Sequence, residues 1–273
     1  MKLKRHYKVV ISIVLAVVLL ISFIFISQTT IAHRDDYFKP DYDRVALTVD
    51  TDYETIFLQT GLGKQAVDKL KKQGQFDIVS HIKDKFFNPP ESDCVNLLGW
   101  LTREDRLESP GAPFVDLQPG DIIVTLSTHS YGWRHGHAGL VLDSDSVLAS
   151  EVLGMDSTIE NIESWTTYSN YAVLRVKGVT AEQQKEIVKY AKENLMGVPY
   201  NLFAGFIGSK APKTDEWYFG LQCSYLAWYA WQQFGVDLDS DGGRLVSTSD
   251  LIGSDKVEIV QIFGMNPKNF LER

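Results

Sequence analysis

One stretch constrains this chain before any other: from Val9 to Ile26 it runs 18 residues without a charge. That is too long for a strand. As a helix rising 1.5 Å per residue it would reach about 27 Å, close to the hydrocarbon depth of a bilayer. Lys2, Lys4, Arg5 and Lys8 precede the run, and Asp35, Asp36, Asp41 and Asp43 follow it. The asymmetry predicts a cytoplasmic N-terminus, a single membrane span and a body outside the cytoplasm. Thr30 and Ala32 offer only a weak cleavage point for a secretory signal. Residues 1–32 are therefore expected to be a basic stub and anchor, with the membrane as a partner.

The whole chain has 273 residues, 44% of them hydrophobic, enough for one core of ordinary size with extensions. Its formal net charge is −8, and no basic cluster with interleaved aromatics occurs, which argues against a nucleic-acid partner. The two cysteines, Cys94 and Cys223, are too few for a disulfide scaffold. A bond between them is the alternative to separate roles.

Residues 33–113 read as a helical and irregular extension. Val67 and Leu70, with Lys69, Lys71 and Lys72 on the other face, predict an amphipathic helix ended by Gly74. Asn88-Pro89-Pro90 breaks any continuation. An apolar patch from Val95 to Leu101 is expected to pack on the main body or shape a groove. Pro110 to Pro113 marks a boundary, and residues 114–273 form the main domain.

Within that domain, short β-branched runs predict strands over Ile122–Leu126, His137–Leu142, Val147–Glu151, Tyr171–Val176 and Val257–Phe263. Thr180, with Gln183 three residues on, predicts a helix start; Ile187, Val188, Ala191 and Leu195 form its apolar stripe, and Gly197 ends it. A second helix opens at Cys223 and stops at Gly235. The expected fold class is α+β, a small antiparallel sheet packed against helices.

Cys223 at a helix start and His137 at a strand start are the minimum for a cysteine nucleophile. Only the thiolate attacks, and a helix N-terminus favours that anion. An imidazole beside it would take and return the proton, and Glu151, on the neighbouring predicted strand, would orient the ring. The backbone N–H of Cys223 is a natural oxyanion donor, and Tyr200 a second. Singly, each residue has an ordinary structural role, since a cysteine in an apolar helix is commonly core filler.

Taken together the motifs resemble a known family. Gly120-Asp121-Ile122, Gly136-His137-Ala138-Gly139-Leu140-Val141, Glu151, Gly197-Val198-Pro199-Tyr200 and Cys223-Ser224 are similar to the permuted branch of the NlpC-like papain-fold cysteine hydrolases, the YiiX/YebB-like proteins. Unpermuted relatives place Gly-x-Pro-Tyr and Cys-Ser before the histidine. Here they follow it, as in a circular permutation shared with lecithin retinol acyltransferase relatives. The resemblance spans about Phe114 to Phe263. It implies a papain-like fold, Cys223 as nucleophile, His137 as base and Glu151 as the polar third member, with Tyr200 beside the active site. Gln222 stands where unpermuted relatives have aspartate, and the Tyr200-to-Cys223 loop is long; both bear on substrate choice.

Neither metal nor cofactor is expected. The His135 and His137 pair is not read as a metal site, and the turn Asp237 to Gly242 mimics a calcium loop but has Thr248 where the bidentate glutamate belongs. The expected function is a membrane-anchored, extracytoplasmic cysteine hydrolase, an amidase, peptidase or esterase. It would act through an acyl-enzyme on a cell-wall peptide or a lipid-like acyl substrate. The alternatives are an acyltransferase on the same triad and a non-catalytic binding module of the cell envelope.

Overall fold

The computed structural model describes residues 5–31, 37–98, 102–130 and 133–271. Before the first β-structure come α1 (Arg5–Ile31), α2 (Tyr53–Thr60), α3 (Lys64–Gln73) and α4 (Ile78–Phe87). The strands β1 (Ser92–Leu98), β2 (Thr102–Leu107), β3 (Ile122–Thr125), β4 (Thr128–Ser130), β5 (His137–Val141), β6 (Ser146–Ala149), β7 (Thr158–Asn161) and β8 (Tyr171–Val176) follow. The chain closes with α5 (Ala181–Asn194), α6 (Cys223–Gln232), α7 (Thr248–Gly253) and β9 (Val257–Phe263). The architecture is α+β with two antiparallel sheets, one ordered β7-β6-β5-β3-β8-β9 and the other β1-β2-β4.

The N-terminal anchor requires correction. The described side chains of α1, Tyr7 to Phe23, are exposed. Among the described residues no helix is long and apolar enough to cross a membrane. The single-pass span is not supported, and the membrane partner and extracytoplasmic placement that rested on it fall with it. Lys2, Lys4, Asp35 and Asp36, which set the expected orientation, lie outside the described residues.

The period-2 alternation of strands sorts the six-stranded sheet into two faces. Ile122, Val124, Ala138, Leu140, Ala172 and Leu174 point to one face, where Ile187 and Ala191 of α5, Tyr225 and Leu226 of α6 and Leu251 of α7 cover them. Ile123, Val141, Val147 and Ala149 point to the other, packing against Ile162, Trp165 and Tyr168. On that second face, Tyr171, Val173, Val260 and Phe263 meet Ile56, Val67, Val79, Ile82 and Phe86 of α2, α3 and α4. Each such fully buried large side chain contributes about 1.5–3 kcal/mol. The sheet is thus covered on both faces, which explains why its central strands are apolar throughout.

The local signals act as their chemistry predicts. Thr180 and Gln183 form a capping box at the start of α5, and Gly74 ends α3 at φ 67°. The three-stranded sheet was not foreseen. Its strand β2 reads Thr-Arg-Glu-Asp-Arg-Leu, a charged run without alternation, yet Glu104 and Asp105 are both buried. Val95 lies in β1 and is exposed, whereas Gly99 to Leu101 of the expected apolar patch lie outside the described residues.

Candidate active site

Cys223 is the first residue of α6, and Gln222 occupies the N-cap. The Gln222 side chain does not cap the helix. Its Nε2 donates to the Val246 carbonyl at 2.8 Å, and its Oε1 accepts from the Ser224 hydroxyl at 3.0 Å and from the Cys223 thiol at 3.5 Å. Ser224 also donates to the Val246 carbonyl at 2.7 Å. These bonds fasten the helix start to the segment before α7. Both cysteines are free, so no Cys94–Cys223 disulfide forms.

Cys223 is 7% exposed. Burial pushes its pKa above the ordinary thiol value, while backbone N–H groups of Ala138 and Ser224 act on the sulfur in the opposite sense. The helix start and the strand β5 therefore meet at the sulfur. Tyr200 is close enough that, after burial, the charge on Cys223 is the next cause raising its phenol. The Tyr200 backbone is held by its N–H bond to the Met155 carbonyl at 3.0 Å and by a bridge to Leu221.

His137 is placed differently. It shares strand parity with Gly139 and Val141, so its ring lies on the face away from α6. There it stacks on Trp165, with centroids 5.0 Å apart and planes 17° from parallel. Its Nε2 is buried without a hydrogen-bond partner. Burial holds the imidazole down at about 4, a shift that Glu104 opposes and that Arg106 and His135 reinforce. The ring is neutral at physiological pH.

Glu151 lies two residues past the last β5–β6 pair, Gly139 with Ala149, on the line that would bring it opposite His137. Among the described residues no hydrogen bond joins Glu151 to His137. Its charge is felt instead by Glu160, whose carboxyl is pushed up to about 8, first by burial and then by Glu151. Glu160 accepts from the Trp165 indole at 3.1 Å. The structure brings Cys223, Gln222 and Tyr200 together; His137 and Glu151 belong to a second polar group on the opposite face.

That second group was not legible in the sequence. Glu104 accepts from the Arg106 guanidinium at 2.8 Å and from the Tyr168 hydroxyl at 2.8 Å, and Arg106 lies 3.4 Å over the Tyr168 ring. Glu104 and Arg106 stand at i and i+2, one face of a strand, but only a reading of 102–107 as β-structure would have aligned them. His135 is engaged on both ring nitrogens, with the Ser130 hydroxyl at 3.0 Å and the Gly136 carbonyl at 2.8 Å. At the 237–242 turn, Asp239 and Asp241 gather with Asp250 of α7, but Lys210 pairs with Asp239, and Asp250 accepts from the Ser247 N–H at 2.8 Å.

No protein-family model and no curated protein matches this chain. Among solved structures, the metalloprotein yiiX of Escherichia coli O157:H7 is similar at a TM-score of 0.40 and 18% identity, over 52% of this chain and 96% of that one. A likeness that loose assigns neither a fold family nor an activity, and the permuted papain-type assignment rests on the sequence motifs alone.

Proposed function

We propose that the chain is a cysteine-dependent hydrolase of amides or esters, with Cys223 as nucleophile. The observation that carries this reading is the meeting of the α6 start with β5, where the N–H of Ala138, next to His137, and that of Ser224 act on the Cys223 sulfur. With the His137 ring turned from Trp165 toward the α6 start, the thiol proton would pass to it, the thiolate sulfur would bond to the acyl carbon, and the leaving alcohol or amine would depart with that proton. Water would then release the acyl group and restore the thiol. The N–H groups at the sulfur, with Tyr200, suit the oxyanion, and Glu151 is the polar third member.

The substrate reading favours a lipid-like acyl group over a cell-wall peptide. Leu202, Phe203, Phe206 and Ile207, between Tyr200 and the thiol, are each more than half exposed, and Trp217 is 88% exposed. Tyr225, Trp228 and Tyr229 are buried core residues instead. Exposed apolar side chains in the loop that leads to Cys223 would suit an acyl chain.

A second reading, a non-catalytic binding module, is favoured by one observation: the His137 ring stacks on Trp165 across the sheet from the thiol. Turnover of a p-nitrophenyl acyl ester decides between them, in the full chain with Cys94→Ser. The hydrolase predicts release of p-nitrophenol that is abolished in Cys223→Ala and falls about 100-fold in His137→Ala. No release above the Cys223→Ala background rejects it and leaves the binding module.

A further inference from the structure

The register of the three-stranded sheet gathers a second set of reactive side chains, remote in sequence from Cys223. Cys94 pairs directly with Asp105 across β1 and β2, and Arg103, two residues before Asp105, pairs with His129 of β4. Strand alternation therefore puts Cys94, Asp105 and His129 on one face. Their donor atoms all lie within 4.8 Å of one another. The Cys94 sulfur is 3.8 Å from His129 Nε2, and that nitrogen is 3.4 Å from Asp105 Oδ1.

Two features distinguish this group from a second catalytic triad. A triad uses both ring nitrogens, one toward the nucleophile and one toward the acid. Here thiol and carboxylate face the same nitrogen, while Nδ1 is buried without a partner. No hydrogen bond at Nδ1 thus dictates a proton on Nε2. The spacing is also that of ligands around one ion. Zinc bonds of about 2.0–2.3 Å at tetrahedral angles separate sulfur from nitrogen by about 3.5 Å and nitrogen from oxygen by about 3.3 Å.

We propose that Cys94, Asp105 and His129 form a binding site for one zinc-type divalent cation. A thiolate, an imidazole and a carboxylate select a borderline-soft transition metal over magnesium or calcium. Binding replaces the thiol proton, which is released to solvent, and the two anionic ligands then neutralise the dication. Arg134 donates to the other carboxylate oxygen of Asp105 at 2.8 Å, the outer support that fixes a ligating carboxylate. His129 is 1% exposed and Asp105 6%, but Cys94 is only partly buried. The ion would be reached from the Cys94 side, and three protein ligands leave the fourth position to water.

Titration of the metal-stripped full chain with Co(II) tests the site. The expected result is one equivalent bound, with a thiolate-to-cobalt charge-transfer band and the intense visible bands of tetrahedral cobalt, both displaced by Zn(II). The bands should vanish in Cys94→Ser and persist in Cys223→Ser. Arg134→Gln should weaken affinity by about 10- to 100-fold while keeping the spectrum. Zn(II) should also slow alkylation of Cys94 and leave Cys223 unaffected. Absence of the bands in a chain that circular dichroism shows folded, or bands that survive Cys94→Ser, overturns the proposal.

Discussion

His137 is the residue at which burial most alters chemistry. In the unfolded chain its imidazole has a reference pKa of about 6.5, and in the fold burial lowers it to about 4. The neutral ring is thus the folded form. The associated stability is fully present above about pH 6.5 and is lost as pH falls toward 4, because the unfolded chain takes up the proton first. The size is of order 3 kcal/mol, from the shift at about 1.4 kcal/mol per unit. Urea unfolding of His137→Gln should show a shallower loss of stability between pH 6.5 and 4 than the parent; an unchanged slope would mean that other groups set the acid limb. The side of the sheet on which His137 lies was partly legible. The sequence shows that His137 is out of phase with Ala138 and Leu140, but it does not say which of the two phases α6 would cover. That choice is made by tertiary packing, where Tyr225 and Leu226 settle on Ala138 and Leu140.

Elements with a self-contained local signal were legible, and those held by distant partners were not. The five β-branched runs became strands because short apolar runs and β-propensity agreed, and α5 carries its own start signal. In α5 the Thr180 hydroxyl accepts from the Gln183 N–H at 3.2 Å, and the Gln183 side chain accepts from the Thr180 N–H at 3.0 Å. Thr180→Ala removes the first bond while Gln183 remains, and should cost about 1 kcal/mol of global stability, read as a lower urea midpoint at unchanged m-value. A loss near zero would show that the α5 start is held by its packing rather than by its cap. The strands β1, β2 and β4 lack any comparable signal. Glu104, Asp105 and Arg106 are charged side chains on both faces of β2, and they are stable there only because Tyr168, His129 and Arg134 come to them from elsewhere in the chain.

At the scale of the molecule, one buried ion cluster joins the extension helices to the main sheet. Arg175 of β8 grips Asp121 through two bonds of 2.9 and 2.7 Å, reaches Asp116 at 2.7 Å, and donates to Gln65 of α3 at 2.8 Å. Lys69 of α3 adds a contact to Asp116 at 3.1 Å. The turn before β3, the strand β8 and the helix α3 are thereby tied at one point, beside the shared core of Tyr171, Val173 and Val67. The motif Gly120-Asp121-Ile122 was legible as a turn and strand, but its cation lies 54 positions away in sequence and was not. Removing that cation leaves Asp116 and Asp121 buried without it, a defect that typically costs 3–5 kcal/mol, about the size of a large core deletion. Arg175→Met should therefore lower the thermal midpoint sharply, and because α3 shares the cluster, helices and sheet should still melt in one transition. Two separated transitions in that variant, resolved by calorimetry, would show instead that α2 to α4 hold together without the sheet and that Arg175 is their coupling rather than a common support.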